Sequence, residues 1–182
     1  MINSINCPSP WVLRFLDDIP KSKGPVLDLA CGAGRHTQLL LAAGYEVWAV
    51  DRDAESLARL EPLGVKCFNM DLEQEYFKWP FAAEQFAGIV VTNYLHRPLM
   101  SAILPSLADQ GVLIYETFAT GNEQYGRPRN PDFLLQENEL LEHFVCTKTA
   151  GWHQQCLAFE HTYVNQITEA IVQRICIRRL RE

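Results

Sequence analysis

No stretch of this 182-residue chain approaches the ~18 consecutive apolar residues of a membrane span, and Met1 to Cys7 shows no basic region followed by an apolar run. No membrane span and no secretory signal are therefore expected, and the cytoplasm is the expected compartment. Paired cysteine motifs are also missing. Cys7, Cys31, Cys67, Cys146, Cys156 and Cys176 form no Cys-x-x-Cys pair and have no histidine at zinc spacing. That argues against a structural zinc or a disulfide framework, and no metal is expected. Nor is there an excess of positive charge: 16 Lys+Arg stand against 22 Asp+Glu, a net charge of −6. Nucleic acid is thus a poor bulk partner, and a small-molecule substrate is favoured. Solenoid repeats and low-complexity tracts are absent as well. With 48% hydrophobic residues, the chain fits one domain over 1–182, with 1–23 as an N-terminal helical segment packed on it. No feature of the sequence sets an oligomeric state.

What is present is a repeating strand–helix pattern. Ser9-Pro10 is a helix start, and Trp11, Val12, Phe15 and Leu16 fall on one helical face. Val26 to Leu29 reads as a buried strand, followed by a small-residue turn and a helix through Leu39, Leu40 and Leu41 that closes at Gly44. Glu46 to Val50 is a second strand ending on Asp51, Asp53 caps a helix through Leu57 and Leu60, and Val65 to Asn69 is a third strand followed by Asp71. Periodicity is weak from Leu72 to Gln85. A fourth strand follows at Gly88 to Asn93, then a helix from about Pro98 to Ala108 and a fifth strand at Gly111 to Glu116. A polar loop spans Thr117 to Pro131, a helix is expected at Glu137 to His143, and β stretches at Leu157 to Val164 and Ile171 to Leu180 pair as a hairpin. The expected architecture is α/β: a doubly wound, Rossmann-like, mostly parallel seven-stranded sheet with helices on both faces and an antiparallel C-terminal hairpin.

In such a sheet, ligands occupy the crevice beyond the carboxyl ends of the strands. Asp28, Asp51 and Asp71 lie at or near the ends of strands one, two and three. Asp51 stands 17 positions after Gly34, close to the roughly 20-residue offset at which an acid takes ribose hydroxyls. The turn after strand one decides against a dinucleotide. Counting Gly-x-Gly-x-x-Gly from Gly32 puts Thr37 at the third small position, and counting from Ala30 puts Arg35 there; neither suits close helix packing.

The pattern Asp28-x-Ala30-x-Gly32-x-Gly34 resembles the first motif of class I S-adenosylmethionine-dependent methyltransferases, with Ala30 where the commonest form has glycine. The resemblance runs through nearly the whole chain. It implies S-adenosylmethionine as cofactor, with Ala30, Gly32 and Gly34 cradling its methionine end and Asp28 both holding the turn and orienting the amino group. Asp51, followed by Arg52, matches the ribose-binding acid. Met70-Asp71-Leu72 matches the segment that lines the adenine, although an Asp before Leu72-Glu73-Gln74 is also an ordinary helix cap. Val91 to His96 is similar to the fourth-strand motif bordering the methionine moiety, which brings in Asn93. More narrowly, Leu27 to His36 is similar to the Cys-Gly-x-Gly-Arg form of tellurite-resistance-type methyltransferases.

Beyond the cofactor, His96 and Tyr94 are the candidate proton acceptors, against the plain reading of a helix entrance with a solvated Arg97. Arg127, Arg129 and Tyr125 in the loop after strand five are candidate contacts for an anionic substrate, against a solvated loop. Arg174, Arg178, Arg179 and Arg181 read as an exposed strand face and tail. Thr92-Asn93-Tyr94-Leu95 lacks the Asn/Asp-Pro-Pro-aromatic run of nucleobase amino-methyltransferases. The expected function is methyl transfer to a small-molecule acceptor such as a thiol, an acid or a metalloid oxyanion. The competing classes are an NAD-dependent oxidoreductase and a non-catalytic methyltransferase-like binding protein.

Overall fold

Alternation along each strand decides which layer of the molecule a residue joins. A computed structural model describes residues 7–147, 150–165 and 168–182; residues 1–6 of the expected N-terminal segment lie outside it. The seven strands are β1 (Val26–Leu29), β2 (Val47–Asp51), β3 (Lys66–Asn69), β4 (Phe86–Thr92), β5 (Leu107–Phe118), β6 (Trp152–Val164) and β7 (Ala170–Arg181). They form one sheet in the order β3-β2-β1-β4-β5-β7-β6. The first five are parallel, and β7 runs antiparallel to both β5 and β6. The chain winds outward from β1 to β3 and then returns to place β4 beside β1. That reversal opens a crevice at the carboxyl ends of β1 and β4.

One set of alternating residues, including Val26, Val47, Ala49 and Val90, packs under α1 (Pro10–Phe15), α2 (Arg35–Ala42) and α3 (Ala54–Leu60). The other set, including Leu27, Leu29, Ile89 and Val91, packs under α4 (Arg97–Ser106) and α5 (Glu139–Phe144). Ser9 caps α1 and Asp53 caps α3, each side chain accepting from a backbone N–H two residues on. Among the described residues no helix is long and apolar enough to cross a membrane.

The aperiodic stretch after β3 forms no helix. Its Phe81 instead joins Trp48, Phe68 and Phe86, with ring centroids 5.1–6.1 Å apart. Apolar burial there comes from aromatic area rather than from a helical face. Two expected boundaries move. The helix expected to reach Ala108 ends at Ser106, because Leu107 turns to extended backbone just after Pro105, and β5 begins there. The strand expected from Leu157 begins at Trp152, because a register shift between Cys156 and Ala158 breaks the alternation that would mark it.

Gly34 opens α2 at φ 79°, and a Cβ there would lie 2.4 Å from the Leu60 side chain of α3. Leu60 is fully buried, so it has little room to give. Gly34→Ala is expected to cost about 2 kcal/mol from the left-handed backbone and the overpacking together, read as a lower urea midpoint at unchanged slope.

Candidate active site

The turn after β1 is held from β2. The Gly32 N–H donates to Asp51 Oδ2 at 2.7 Å, and Asp51 Oδ1 accepts the Asp53 N–H at 2.9 Å. One carboxylate thereby ties the glycine turn to the start of α3. Ala30 takes φ 56° and Gly32 φ 53°, and a Cβ on Gly32 would meet nothing within 4 Å, so the turn presents open space on that side. Asp28 lies beneath, buried, with the Thr37 hydroxyl donating to it at 2.6 Å. Burial pushes its carboxyl up to about 6 and the Asp51 charge adds to this, while the Thr37 bonds and Arg35 pull the other way. Thr37, at the position a dinucleotide turn reserves for a small residue, is thus committed to Asp28. Burial, with the Asp28 and Asp51 charges behind it, pushes the Cys31 thiol far up, which leaves no nucleophile there.

Beyond this turn lies a cavity of about 140 Å³ that opens to solvent. Ala30, Asp51, Arg52, Asp71, Leu72 and Tyr94 all line it, so six of the expected residues are gathered from β1, β2, β3 and β4 ends. Asp71 accepts the Glu73 N–H at 3.0 Å, closing a turn rather than capping a helix. The Tyr94 hydroxyl is buried with no hydrogen-bond partner among the described residues. Burial and the charges of Glu73 and Asp71 push its pKa up, so it stays a protonated donor.

A second cavity, of about 80 Å³ and open to solvent, lies at the ends of β4 and β5. Ser9, Arg35, Asn93, Glu116 and Arg174 form its polar wall; Phe118, Val164, Ala170 and Val172 form the apolar one. Asn93 and Tyr94, consecutive in the chain, thus line different cavities. Glu116 accepts from the Ser9 hydroxyl at 2.7 Å and from Arg174 Nη1 at 3.1 Å. Arg174 also donates twice to Glu160, at 2.9 and 2.6 Å, with its guanidinium 4.7 Å from the Trp11 ring. Behind Ser9 stands a buried imidazole. His36 Nε2 accepts the Ser9 N–H at 3.0 Å, which leaves its proton on Nδ1, 3.1 Å from Thr92 Oγ1. Burial and Arg35 push His36 down to about 3, so it holds the N-terminal segment as a neutral ring.

Several expected residues lie elsewhere. His96 precedes α4 and lines neither cavity, and Arg127, Arg129 and Tyr125 line neither. Tyr125 is stacked 5.2 Å from Tyr163, and Arg129 Nε donates to the Gly126 carbonyl at 3.3 Å. Arg97 is partly exposed but held. It forks onto Glu139 at 2.6 and 2.9 Å and donates to the Asp132 and Leu134 carbonyls, pinning the chain after β5. Of the arginines of the last strand, Arg181 is exposed as expected, whereas Arg179 and Arg174 depart from an exposed face. Arg179 is 5% exposed, donates to the Leu107 and Pro105 carbonyls and lies 3.5 Å from the Trp152 ring, and Arg174 is the cavity wall just described. Sequence reasoning missed Ser9, His36 and Glu116; His36 shares the buried face of α2 with Thr37 and Leu40, and no local signal separates it from a core histidine. Among the described residues no three His, Cys, Asp or Glu side chains are grouped to hold a metal ion.

Residues 26–109 match the family model described as a methyltransferase domain. A protein-L-isoaspartate O-methyltransferase from Chlorobaculum parvum is 30% identical over 134 residues, covering 71% of this chain; the chain spans 59% of that relative's length. Among solved structures, a SAM-dependent methyltransferase from Methanosarcina mazei superimposes with a TM-score of 0.67 at 12% identity, covering 97% of this chain and 100% of its own. TehB from Haemophilus influenzae does so with a TM-score of 0.66 at 20% identity, covering 96% of this chain and 62% of its own. Strand order and glycine turn agree with these neighbours, so the chain has the fold of these SAM-dependent methyltransferases, and its residues 26–109 are those that match the methyltransferase-domain model.

Proposed function

We propose that this chain transfers a methyl group from S-adenosylmethionine to a small-molecule acceptor. The observation that carries the reading is the convergence of the glycine turn, Asp51 and Asp71 on one cavity, with Gly32 bonded to Asp51. Each Asp51 oxygen already accepts one backbone N–H and has a lone pair left, so the carboxylate is oriented to take two ribose hydroxyls. Asp71 and the unmatched Tyr94 hydroxyl supply an acceptor and a donor for the adenine side, Leu72 an apolar face, and Arg52 the rim. Gly32 leaves open space and Ala30 lines the cavity for the methionine end, Gly34 lets the turn close against Leu60, Asp28 stands behind the turn and Asn93 at its border. Bound there, the sulfonium supplies an electrophilic methyl carbon. The residues then need only hold an acceptor in line with it.

The second cavity is the acceptor site in this reading, which moves substrate contact from Arg127, Arg129 and Tyr125 to the Ser9–Arg35–Glu116–Arg174 wall. His96, just before α4, remains the candidate base for an acceptor that must lose a proton, whereas Tyr94, a protonated donor lining the first cavity, leaves that role. The Chlorobaculum relative is named an O-methyltransferase, which favours oxygen as the acceptor atom. Isothermal titration with S-adenosylhomocysteine and NAD tests the donor: saturable binding of the first and none of the second is expected. Binding of NAD alone would overturn the reading, and binding without turnover on any acceptor would favour the non-catalytic alternative.

A further inference from the structure

The charges around the second cavity are unequally committed. Glu116 and Glu160 are satisfied by Arg174, and Arg14 bonds the other oxygen of Glu160 at 3.2 Å, so this group is neutral as a set. The Ser9 hydroxyl further occupies Glu116. Arg35 is different. It lines the same cavity from the first turn of α2, and among the described residues its guanidinium has no ion pair and no side-chain hydrogen bond. Of the charged groups near it, His36 is neutral and Asp28, whose carboxyl feels the Arg35 charge, is buried beneath the turn and makes no direct contact with the guanidinium. The cavity therefore offers, among the described residues, one cation free of a direct ion pair beside a wall of Phe118, Val164, Ala170 and Val172.

It also offers no free base. Among the described residues Glu116 is its only acidic lining residue and is held by two donors, while His96 and Tyr94 do not line it. A nucleophile that arrives already ionised needs no base there. An organic carboxylate meets both conditions, since it is ionised at neutral pH and matches the planar fork of a guanidinium.

We propose that the acceptor is an organic carboxylate with an apolar body, anchored by Arg35 in the second cavity, and that its own ionised oxygen is the nucleophile; this rests on the methyl-transfer reading above. The carboxylate oxygen forms the new O–C bond as the methyl carbon parts from sulfur, and the S–C electron pair stays on sulfur. The products are a methyl ester and a neutral thioether, and no proton moves. Glu116 and Arg174, paired with each other, form a preset wall whose Arg174 donors are already taken, which leaves Arg35 as the guanidinium open to the carboxylate.

The experiment titrates phenylacetate and hexanoate, with phenylacetamide as the uncharged match, into the full chain with and without S-adenosylhomocysteine. It then measures methyl-ester formation by mass spectrometry from pH 6 to 9. The acids are expected to bind at least 10-fold tighter than the amide, with a rate flat across that range. Arg35→Gln is expected to weaken acid binding at least 10-fold while changing S-adenosylhomocysteine affinity less than twofold, and Arg35→Lys to recover part of the loss. Equal binding of acid and amide, no binding of either acid, or unchanged acid affinity in Arg35→Gln overturns the proposal. Failure of S-adenosylhomocysteine to bind the wild type overturns the methyl-transfer reading instead, since acid binding is also read without it.

Discussion

Asp51→Ala is expected to weaken S-adenosylhomocysteine binding by about 10³-fold. Two hydrogen bonds to a charged carboxylate are removed at once, worth together about 4 kcal/mol. The loss has a second source, because the same carboxylate holds the Gly32 N–H at 2.7 Å and the Asp53 N–H at 2.9 Å. Without it the turn loses its tether to β2, and the two freed N–H groups turn to solvent. Asp51→Asn separates the contributions: it keeps an acceptor oxygen for the turn, removes the charge, and should fall between wild type and alanine. Calorimetric titration reads the affinities, and a thermal melt of each variant confirms that the fold survives. Unaltered affinity in Asp51→Ala would remove Asp51 from the site.

Asp28→Asn is expected to be more stable than the wild type at pH 8, by up to about 3 kcal/mol, with the advantage gone near pH 4. The cause is the buried carboxyl, raised from 3.8 to about 6 chiefly by burial, a displacement worth about 3 kcal/mol. A raised folded-state value means that the native chain binds the proton more tightly than the unfolded one. Keeping Asp28 ionised therefore costs stability above pH 6, and the cost is relieved as pH falls from 6 to 3.8. His36 runs the other way, since its lowered value makes acid destabilising between 6.5 and about 3. It is common to both proteins and cancels in their difference. The amide oxygen can still accept from Thr37, so packing is preserved. Urea denaturation of both proteins at pH 8, 6 and 4 measures the difference, and a pH-independent gap would refute a buried charge. The same substitution should weaken S-adenosylhomocysteine binding, because a destabilising charge behind the methionine end is retained for the ligand's amino group.

The glycine turn and the three acids were legible because each is a local event. A strand must end on a turn, small residues must form it, and an acid at a strand end lies in the crevice wherever the sheet is doubly wound. Ala30 is the exception that proved tolerable: it holds φ 56° at the position where glycine is commoner. The hairpin pairing of β6 and β7 was readable from alternation, but the start of β6 was not, since the register shift at Cys156/Ala158 puts its first residues out of phase. Arg179 was misread for a related reason. An arginine in a strand reads as an exposed face, yet the carbonyls of Pro105 and Leu107 and the ring of Trp152 accept it inside.

The sequence by itself determined the α/β class with a mostly parallel sheet, the glycine turn and Asp28, Asp51 and Asp71 around it, because period-two alternation and turn chemistry depend only on near neighbours. The tertiary structure alone decided who shares the second cavity. Ser9, Arg35, Asn93, Glu116 and Arg174 come from five separate segments, and β7 must be inserted between β5 and β6 before Arg174 stands directly across from both Glu116 and Glu160. Which charges cancel across that sheet, and hence which guanidinium is left uncompensated, is a property of strand order and register.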